Sequence, residues 1–384
     1  MLTARIAIIG GGLSGLYAAA LLEQHGIQDY VLLEARETFG GRILSVSADS
    51  GVRADEHHAP SAATERYDLG ATWLWPALHA DLAQVVETLG LETFEQFETG
   101  DMLLERSRSS APTRVKGDRS SPPALRLVGG MGAFTDAIHN RLTTECLVCG
   151  HRVRRLRHLG DCIELEADDA LGSMMCHRVG HVLLAVPPRL AATTIGFAPM
   201  LPETTMLPET TMRRWQDCGT WMAPHAKYVA VFSKPFWREQ RLSGEARSSV
   251  GPLAEIHDAS AREGGAALFG FLGVPAQVRS RTPETILLSH CRAQLVRLFG
   301  ERAGTPKAEF LKDWTSDPCT AVTADQNPAL HDGVMLPSEA PSGVWRDRLT
   351  GIASEWSPDF SGYVAGAVDA AQRGVAKLLA TLSH

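Results

Sequence analysis

An α/β chain is predicted: a nucleotide-binding domain built on a parallel sheet, joined to an α+β domain with a mixed sheet. Three features carry that expectation. The chain opens on a strand, a glycine turn, a helix and a second strand; strand-like runs crowd its middle; its end returns to a strand, a glycine turn and a long helix. At 384 residues it exceeds the usual single core, so two domains are expected.

The opening run Arg5 to Ile9 (RIAII) is short and β-branched, the pattern of a buried strand, and Leu13 to Gln24 has helical spacing and good helix formers. Tyr30 to Glu34 (YVLLE) reads as the second strand. Gly10, Gly12 and Gly15 therefore form G-x-G-x-x-G at a strand-to-helix turn, the context in which the pattern marks a Rossmann-like dinucleotide site. Gly10 allows the tight turn, Gly12 lets a pyrophosphate approach backbone N–H groups at the positive helix end, and Gly15 lets helix and strand pack. Glu34, closing the second strand, is placed to accept hydrogen bonds from a ribose.

With 37 Lys+Arg against 44 Asp+Glu, the net charge of −7 gives no footing for nucleic acid or an anionic membrane surface as partner. No apolar run approaches bilayer-spanning length, and the first strand starts within a few residues of Met1, so a cytoplasmic protein without a membrane partner is expected. Seven cysteines without an export signal point to reduced thiols. Cys146 and Cys149 form a C-x-x-C, near His151, Cys162, Cys176 and His177, that admits a zinc reading. A second close pair is missing, and Cys162 sits in an alternating strand pattern; buried thiols acting as small hydrophobes are the expectation, with no metal.

After the first βαβ unit, the polar stretch from Ser45 to Arg66 reads as a loop, Ala77 to Leu91 as a helix ended by Gly90, and Ser107 to Pro123 as a mobile segment. "RLVGGMGAFTDAIHNRL" repeats strand, glycine turn and helix. Strands are expected around Cys146 to Leu156, Cys162 to Ala167 and His181 to Val186. Residues 201–212 read LPETTM twice in tandem, which marks an exposed crossing between domains. "AKYVAVFSKPFW", "GPLAEIHDAS" and "ALFGFLG" are strand-like, and Pro283 to Phe299 is helical, which gives the second domain its mixed sheet.

The opening motif alone does not separate NAD from FAD. Gly40-Gly41-Arg42 does more: two glycines for close approach and an Arg fork for a second phosphate oxygen. Together, "IGGGLSGL…LLEAR…GGRI", "DLGATW", "LVGGMG", "VPP", "AKYVAVFSKPFW" and "SGYVAGAVDAA" resemble the flavin-dependent amine oxidase family, in that family's order along the chain. The resemblance implies FAD held noncovalently. Gly10, Gly12, Gly15, Glu34, Arg36, Gly41 and Arg42 would hold its ADP half, Val153 would lie by the adenine, and Gly70, Ala71, Thr72 and Trp73 would run beside the ring. Glu355 would meet the ribityl or pyrophosphate end, Gly362 and Val364 would present backbone to the ring, and Trp314 joins the expected cofactor-binding residues. Residues 1–76, 128–200 and 321–384 would form the FAD-binding domain, and 77–127 and 201–320 the substrate domain.

Two residues are singled out as catalytic. Lys227 falls where the family places a lysine that holds a water against flavin N5, and positive charge there favours return of electrons to O2. Tyr363 resembles one wall of the family's aromatic cage for the substrate amine. The expected second aromatic, near 322–324, is absent, leaving Trp73, Trp75, Phe271 or Trp314 as substitutes. The covalent-flavin cysteine has no counterpart in register, Cys319 being displaced from it, and Ala365 replaces the acid of the usual G-Y-x-E-G-A. Glu255, His257 and Asp258 lie on an expected strand of the substrate domain, with a ring-facing role and a structural polar network both open. The resemblance implies oxidation of a small-molecule amine to an imine, with hydride transfer to the flavin and O2 reduced to H2O2. Another flavin dehydrogenase or desaturase, or a flavin-binding protein with little turnover, is the alternative.

Overall fold

A computed structural model describes residues 2–48, 65–117, 119–201, 211–326, 336–340 and 342–383. Most of the polar stretch expected as a loop and most of the LPETTM tandem lie outside these residues. The chain divides into two compact units: Met1–Arg42, Thr135–Ala223 and Pro318–His384 form the first, Ile43–Phe134 and Pro224–Asp317 the second. Residues 43–76 and 128–134, expected with the nucleotide domain, fall in the second unit, and 201–223 and 318–320 in the first. The assignment of 43–76 follows from local pairing: Ser45–Val46 runs antiparallel to Tyr67–Asp68, and Leu69 N–H donates to the Leu44 carbonyl at 2.8 Å.

In the first unit, strand Leu2–Ile9 lies between two parallel neighbours, Tyr30–Leu33 on one side (Ile6 opposite Tyr30) and the long strand Met174–Leu184 on the other (Ile6 opposite His181). Leu147–Val148 extends the parallel side beyond Tyr30–Leu33, and Leu349–Gly351 pairs with the end of the long strand. The first half of Met174–Leu184 pairs instead with Ile163–Asp168, which pairs with Arg152–His158, both antiparallel. One strand thus joins a doubly wound parallel sheet to a β-meander. Tyr30–Leu33 and the second half of the first strand, Ile6 to Ile9, are apolar and buried because helices such as Leu13–Gln24 and Val364–Leu382 cover the sheet.

The second unit carries a seven-stranded mixed sheet in the order Ala308–Asp313, Ala226–Phe232, Ala266–Leu272, Leu253–Asp258, Leu242–Ser248, Asp101–Glu105, Thr113–Lys116. Only the Leu242–Ser248/Asp101–Glu105 pair is parallel. Tyr228, Ala230 and Phe232 pack in one core with Leu287, Cys291 and Leu295 of helix Glu284–Phe299, so their alternates, Lys227 and Val229, point to the opposite face. All seven residues of that strand are buried, and its period-2 signal is therefore invisible in the sequence. The segment expected to be mobile contains strand Thr113–Lys116, antiparallel to Asp101–Glu105. Its four residues are exposed, as a charged edge strand is, and such a strand reads as loop by composition. No helix among the described residues is long and apolar enough to cross a membrane.

A buried ion pair braces the first unit: Arg189 Nη1 donates to Asp325 Oδ1 at 2.6 Å, its remaining nitrogens reach the Gln216 and Asp217 carbonyls, and Val322 N–H bonds the other carboxylate oxygen. Both side chains are almost fully buried. Asp325→Ala leaves the guanidinium without its counter-charge and is expected to destabilise this unit by about 3–5 kcal/mol. Thermal unfolding followed by circular dichroism checks this; an unchanged midpoint would contradict it.

Candidate active site

The nucleotide cradle of the first unit begins where strand Leu2–Ile9 turns into helix Leu13–Gln24. A Cβ at position 15 would sit 1.9 Å from the Gly10 carbonyl oxygen, so only glycine lets helix and strand approach this closely. Gly12 caps the helix, no side chain caps that end, and its first turn carries no acid, which leaves backbone N–H groups and the positive helix end for an anion. Gly40 bridges to Gly12, and a Cβ at Gly41 would meet the Gly12 Cα at 3.0 Å. The two glycine turns therefore close on one another through backbone alone.

Glu34 is buried at the end of its strand, and its carboxylate accepts from Gly11 N at 2.6 Å and Arg36 N at 2.8 Å. It orders the glycine turn. Arg36 also donates to Thr320 Oγ1 at 2.8 Å. Arg42 binds Glu355 bidentately, at 2.5 and 2.9 Å, and Ser354 Oγ at 3.1 Å. Ser354 went unnoticed in the sequence, since a serine beside an acid has no distinguishing pattern. Val153 is buried in strand Arg152–His158, two residues beyond His151, whose N–H donates to the Glu34 carbonyl. Gly362 has φ +81°, and Tyr363 begins helix Val364–Leu382 with its ring about half exposed and no side-chain cap. Glycine turns in which a Cβ at position 10, 15 or 41 would strike backbone, an acid at the strand end and two helix starts without side-chain caps fit a dinucleotide such as FAD.

The second unit holds Lys227 at zero exposure. Its ammonium donates to the Gly70 carbonyl at 3.1 Å and to Thr72 Oγ1, and lies 4.0 Å from the Phe269 ring and 5.6 Å from the Phe271 ring. Burial pushes its pKa down to about 7; Asp68 works against that fall and Arg126 adds to it. Asp68 is also buried, which raises its pKa, while Lys227, the Ser45 hydroxyl, Arg126 and the Met131 N–H oppose the rise. Trp314, fully buried, fixes its indole N–H on the Leu69 carbonyl at 3.0 Å, and Trp73 donates to Gln96 Oε1 at 2.9 Å. Ala71, half-buried, lies between Gly70 and Thr72.

Trp73, Trp75, Phe269, Phe271 and His257 form one aromatic cluster, with Trp73 5.4 Å from Phe269 and Phe269 5.6 Å from Phe271 between ring centroids. Phe269 was missed in the sequence: its strand is apolar at nearly every position, and nothing there selects the ring that meets the lysine. His257 stacks on Phe269 and bonds Glu255 at 2.6 Å, and Arg247 pairs with the same carboxylate. Burial raises the Glu255 pKa, but His257 and Arg247 outweigh it and hold the carboxyl below its ordinary range. Asp258 belongs to a different network on the opposite face, accepting from Trp237 Nε1, Arg238 and Ser260 N.

Among the described residues no group of three or more His, Cys, Asp or Glu side chains is placed to hold a metal. Burial first, then Glu34 and Glu37, push the Cys149 thiol up to about 12, which disfavours the thiolate a zinc ion needs.

Gly15→Ala is expected to weaken FAD binding at least about tenfold, about 1.4 kcal/mol, because the Gly10 carbonyl is backbone and cannot step aside. Titration of the cofactor-stripped variant with FAD, followed by flavin fluorescence, measures it; wild-type affinity would show that the turn tolerates the methyl group.

Comparison with known proteins agrees with these features. The family model "Flavin containing amine oxidoreductase" matches residues 100–379, and an "NAD(P)-binding Rossmann-like domain" model matches 8–89. A probable flavin-containing monoamine oxidase A of Dictyostelium discoideum is 21% identical over 415 residues, covering 81% of this chain and 84% of the relative. Flavin-containing amine oxidase B of Sus scrofa is 23% identical, covering 97% and 86%. A solved structure of a putrescine oxidase variant superposes with a TM-score of 0.78 at 19% identity, covering 99% of each chain, which is a likeness of fold. The chain belongs to the flavin-containing amine oxidoreductases, as an FAD-dependent enzyme acting on amines.

Proposed function

We propose that this enzyme oxidises the C–N bond of a small-molecule amine to the imine, using noncovalent FAD and O2 as the final acceptor. FAD held here would supply the acceptor for a hydride equivalent from the amine α-carbon and the donor of two electrons to O2, which with two protons would give H2O2, the released imine being hydrolysed by water. The observation that supports the reading most is Lys227: a buried amine, hydrogen-bonded to a carbonyl and a hydroxyl, on a strand otherwise apolar. A cation in a dry site stabilises developing negative charge far more than one in water, which is what one-electron transfer to O2 demands. Tyr363, at the start of its helix, orients the amine, and the positive end of that helix favours negative charge nearby. Noncovalent binding is favoured by the place of Cys319, whose sulfur lies 3.1 Å from Arg152 Nη2, next to Thr320 and its partner Arg36. Those residues belong with Glu34 and Val153, toward the adenosine end. No side chain is assigned as general base, because a neutral amine releases hydride from carbon without one.

Anaerobic addition of primary, secondary, polyamine and amino-acid substrates tests the reading. One amine class is expected to bleach the flavin, with peroxide formed when air returns. Lys227→Met is expected to slow reoxidation about 10²–10³-fold while leaving anaerobic bleaching nearly unchanged. Since Lys227 carries its charge below about pH 7 and loses it above, reoxidation should slow as pH rises through that value. A flavin that no amine bleaches would move the assignment to another flavin dehydrogenase or a binding role.

A further inference from the structure

The proposed chemistry needs no base at carbon, but it starts from a neutral amine, and an aliphatic amine with a pKa of about 10 enters at neutral pH as its ammonium. A proton must leave nitrogen first. Strand register places Lys227 opposite Phe271 and Phe271 opposite Glu255, with His257 opposite Phe269 in the next row. Residues paired across strands share a face and alternate residues return to it, so Lys227, Phe269, Phe271, Glu255 and His257 project from one side of the sheet. Lys227 and His257 lie against the same ring: the ammonium is 4.0 Å and the imidazole centroid 5.3 Å from the centre of Phe269.

We infer that His257 is the proton acceptor for the substrate ammonium, with Glu255 as the positioning residue behind it. This rests on the amine oxidation proposed above and adds where the ammonium proton goes. Glu255 Oε1 lies 2.6 Å from His257 Nε2. A carboxylate only accepts, so the hydrogen of that bond sits on Nε2 and the neutral ring presents Nδ1 as an acceptor. Nδ1 has no hydrogen-bond partner among the described residues, and the side chain keeps 14% of its surface open. The ring is held from three sides, by Glu255 at Nε2, by Phe269 stacked on it, and by Trp73 edge-on at 5.0 Å. Trp73 is itself pinned, because Gln96 accepts its indole N–H and donates to the Asp258 carbonyl at 2.7 Å. The step breaks an N–H bond of the ammonium and forms Nδ1–H; the electron pair stays on the amine nitrogen, and the imidazolium forms beside the Glu255 carboxylate. Of the other charged groups on this face, Arg247 holds the second Glu255 oxygen and also meets Glu245, and Lys312, opposite Lys227, pairs with Asp317. Lys227 itself, across the Phe269 ring, repels further cations, and Glu255 is the counter-charge that offsets this for His257.

Anaerobic stopped-flow bleaching of the FAD-loaded enzyme by benzylamine, N-methylbenzylamine, spermidine and L-phenylalanine selects the amine that reduces it fastest, which is then followed between about pH 6 and about pH 10. The anaerobic readout leaves out the reoxidation step assigned to Lys227. His257→Phe keeps a ring against Phe269 and Trp73 and removes the acceptor. Its bleaching rate is expected to fall about 10²-fold at about pH 7, and the deficit should shrink as the pH nears the pKa of the amine, where the substrate arrives already neutral. Glu255→Gln should show a smaller deficit with the same pH dependence, because the imidazolium loses its counter-charge. A deficit equal at every pH marks a packing role and overturns the proposal, as does the absence of a deficit. Where His257→Phe does not retain FAD, Glu255→Gln decides by the same criterion. A wild-type enzyme that none of these amines bleaches withdraws the oxidase reading and the proton acceptor with it, an outcome distinct from a bleaching wild type matched by its variant.

Discussion

The Gly10 carbonyl oxygen occupies the space where a side chain at position 15 would begin, so strand Leu2–Ile9 and helix Leu13–Gln24 meet at backbone distance. Much of the first unit follows from that contact. It aims the uncapped start of the helix at the turn, lets the Gly40–Gly41 turn close against Gly12, and leaves the Glu34 carboxylate beside the Gly11 N–H. A methyl group at either turn would part the backbones and with them the ring of N–H groups a pyrophosphate needs.

A different constraint governs the second unit. Placing an amine at zero exposure in a strand of Ala, Val, Tyr and Phe withdraws it from water, and desolvation brings its proton affinity into the neutral range. The Phe269 ring, the Gly70 carbonyl and the Thr72 hydroxyl return part of the lost solvation. Such a lysine is ill suited to being a mere structural residue, since a leucine would fill the same space without the desolvation penalty.

Legibility in the sequence was uneven for identifiable reasons. Gly10, Gly12, Gly15, Glu34 and Arg42 are readable because the turn they build is local, and each residue type has one physical reason to stand at its spacing. The register of "KPFW" made Lys227 readable by resemblance. Arg126 and Phe269 were not readable: each lies in a short apolar strand and gains its meaning only from side chains far along the chain. The edge strand Thr113–Lys116 was hidden for the opposite reason, because four exposed residues, three of them polar, have the composition of a loop.

By itself the sequence determined the two kinds of domain, the dinucleotide turn and the family, since these rest on short-range spacing and on motif order. Tertiary structure alone decided that Arg42 clasps Glu355, that Arg189 is braced by Asp325, and that Lys227 donates to the Gly70 carbonyl and Thr72 hydroxyl. These pairings join residues more than a hundred positions apart. The proton affinity of a buried group depends on the dielectric and the charges gathered around it in space, which no local spacing encodes.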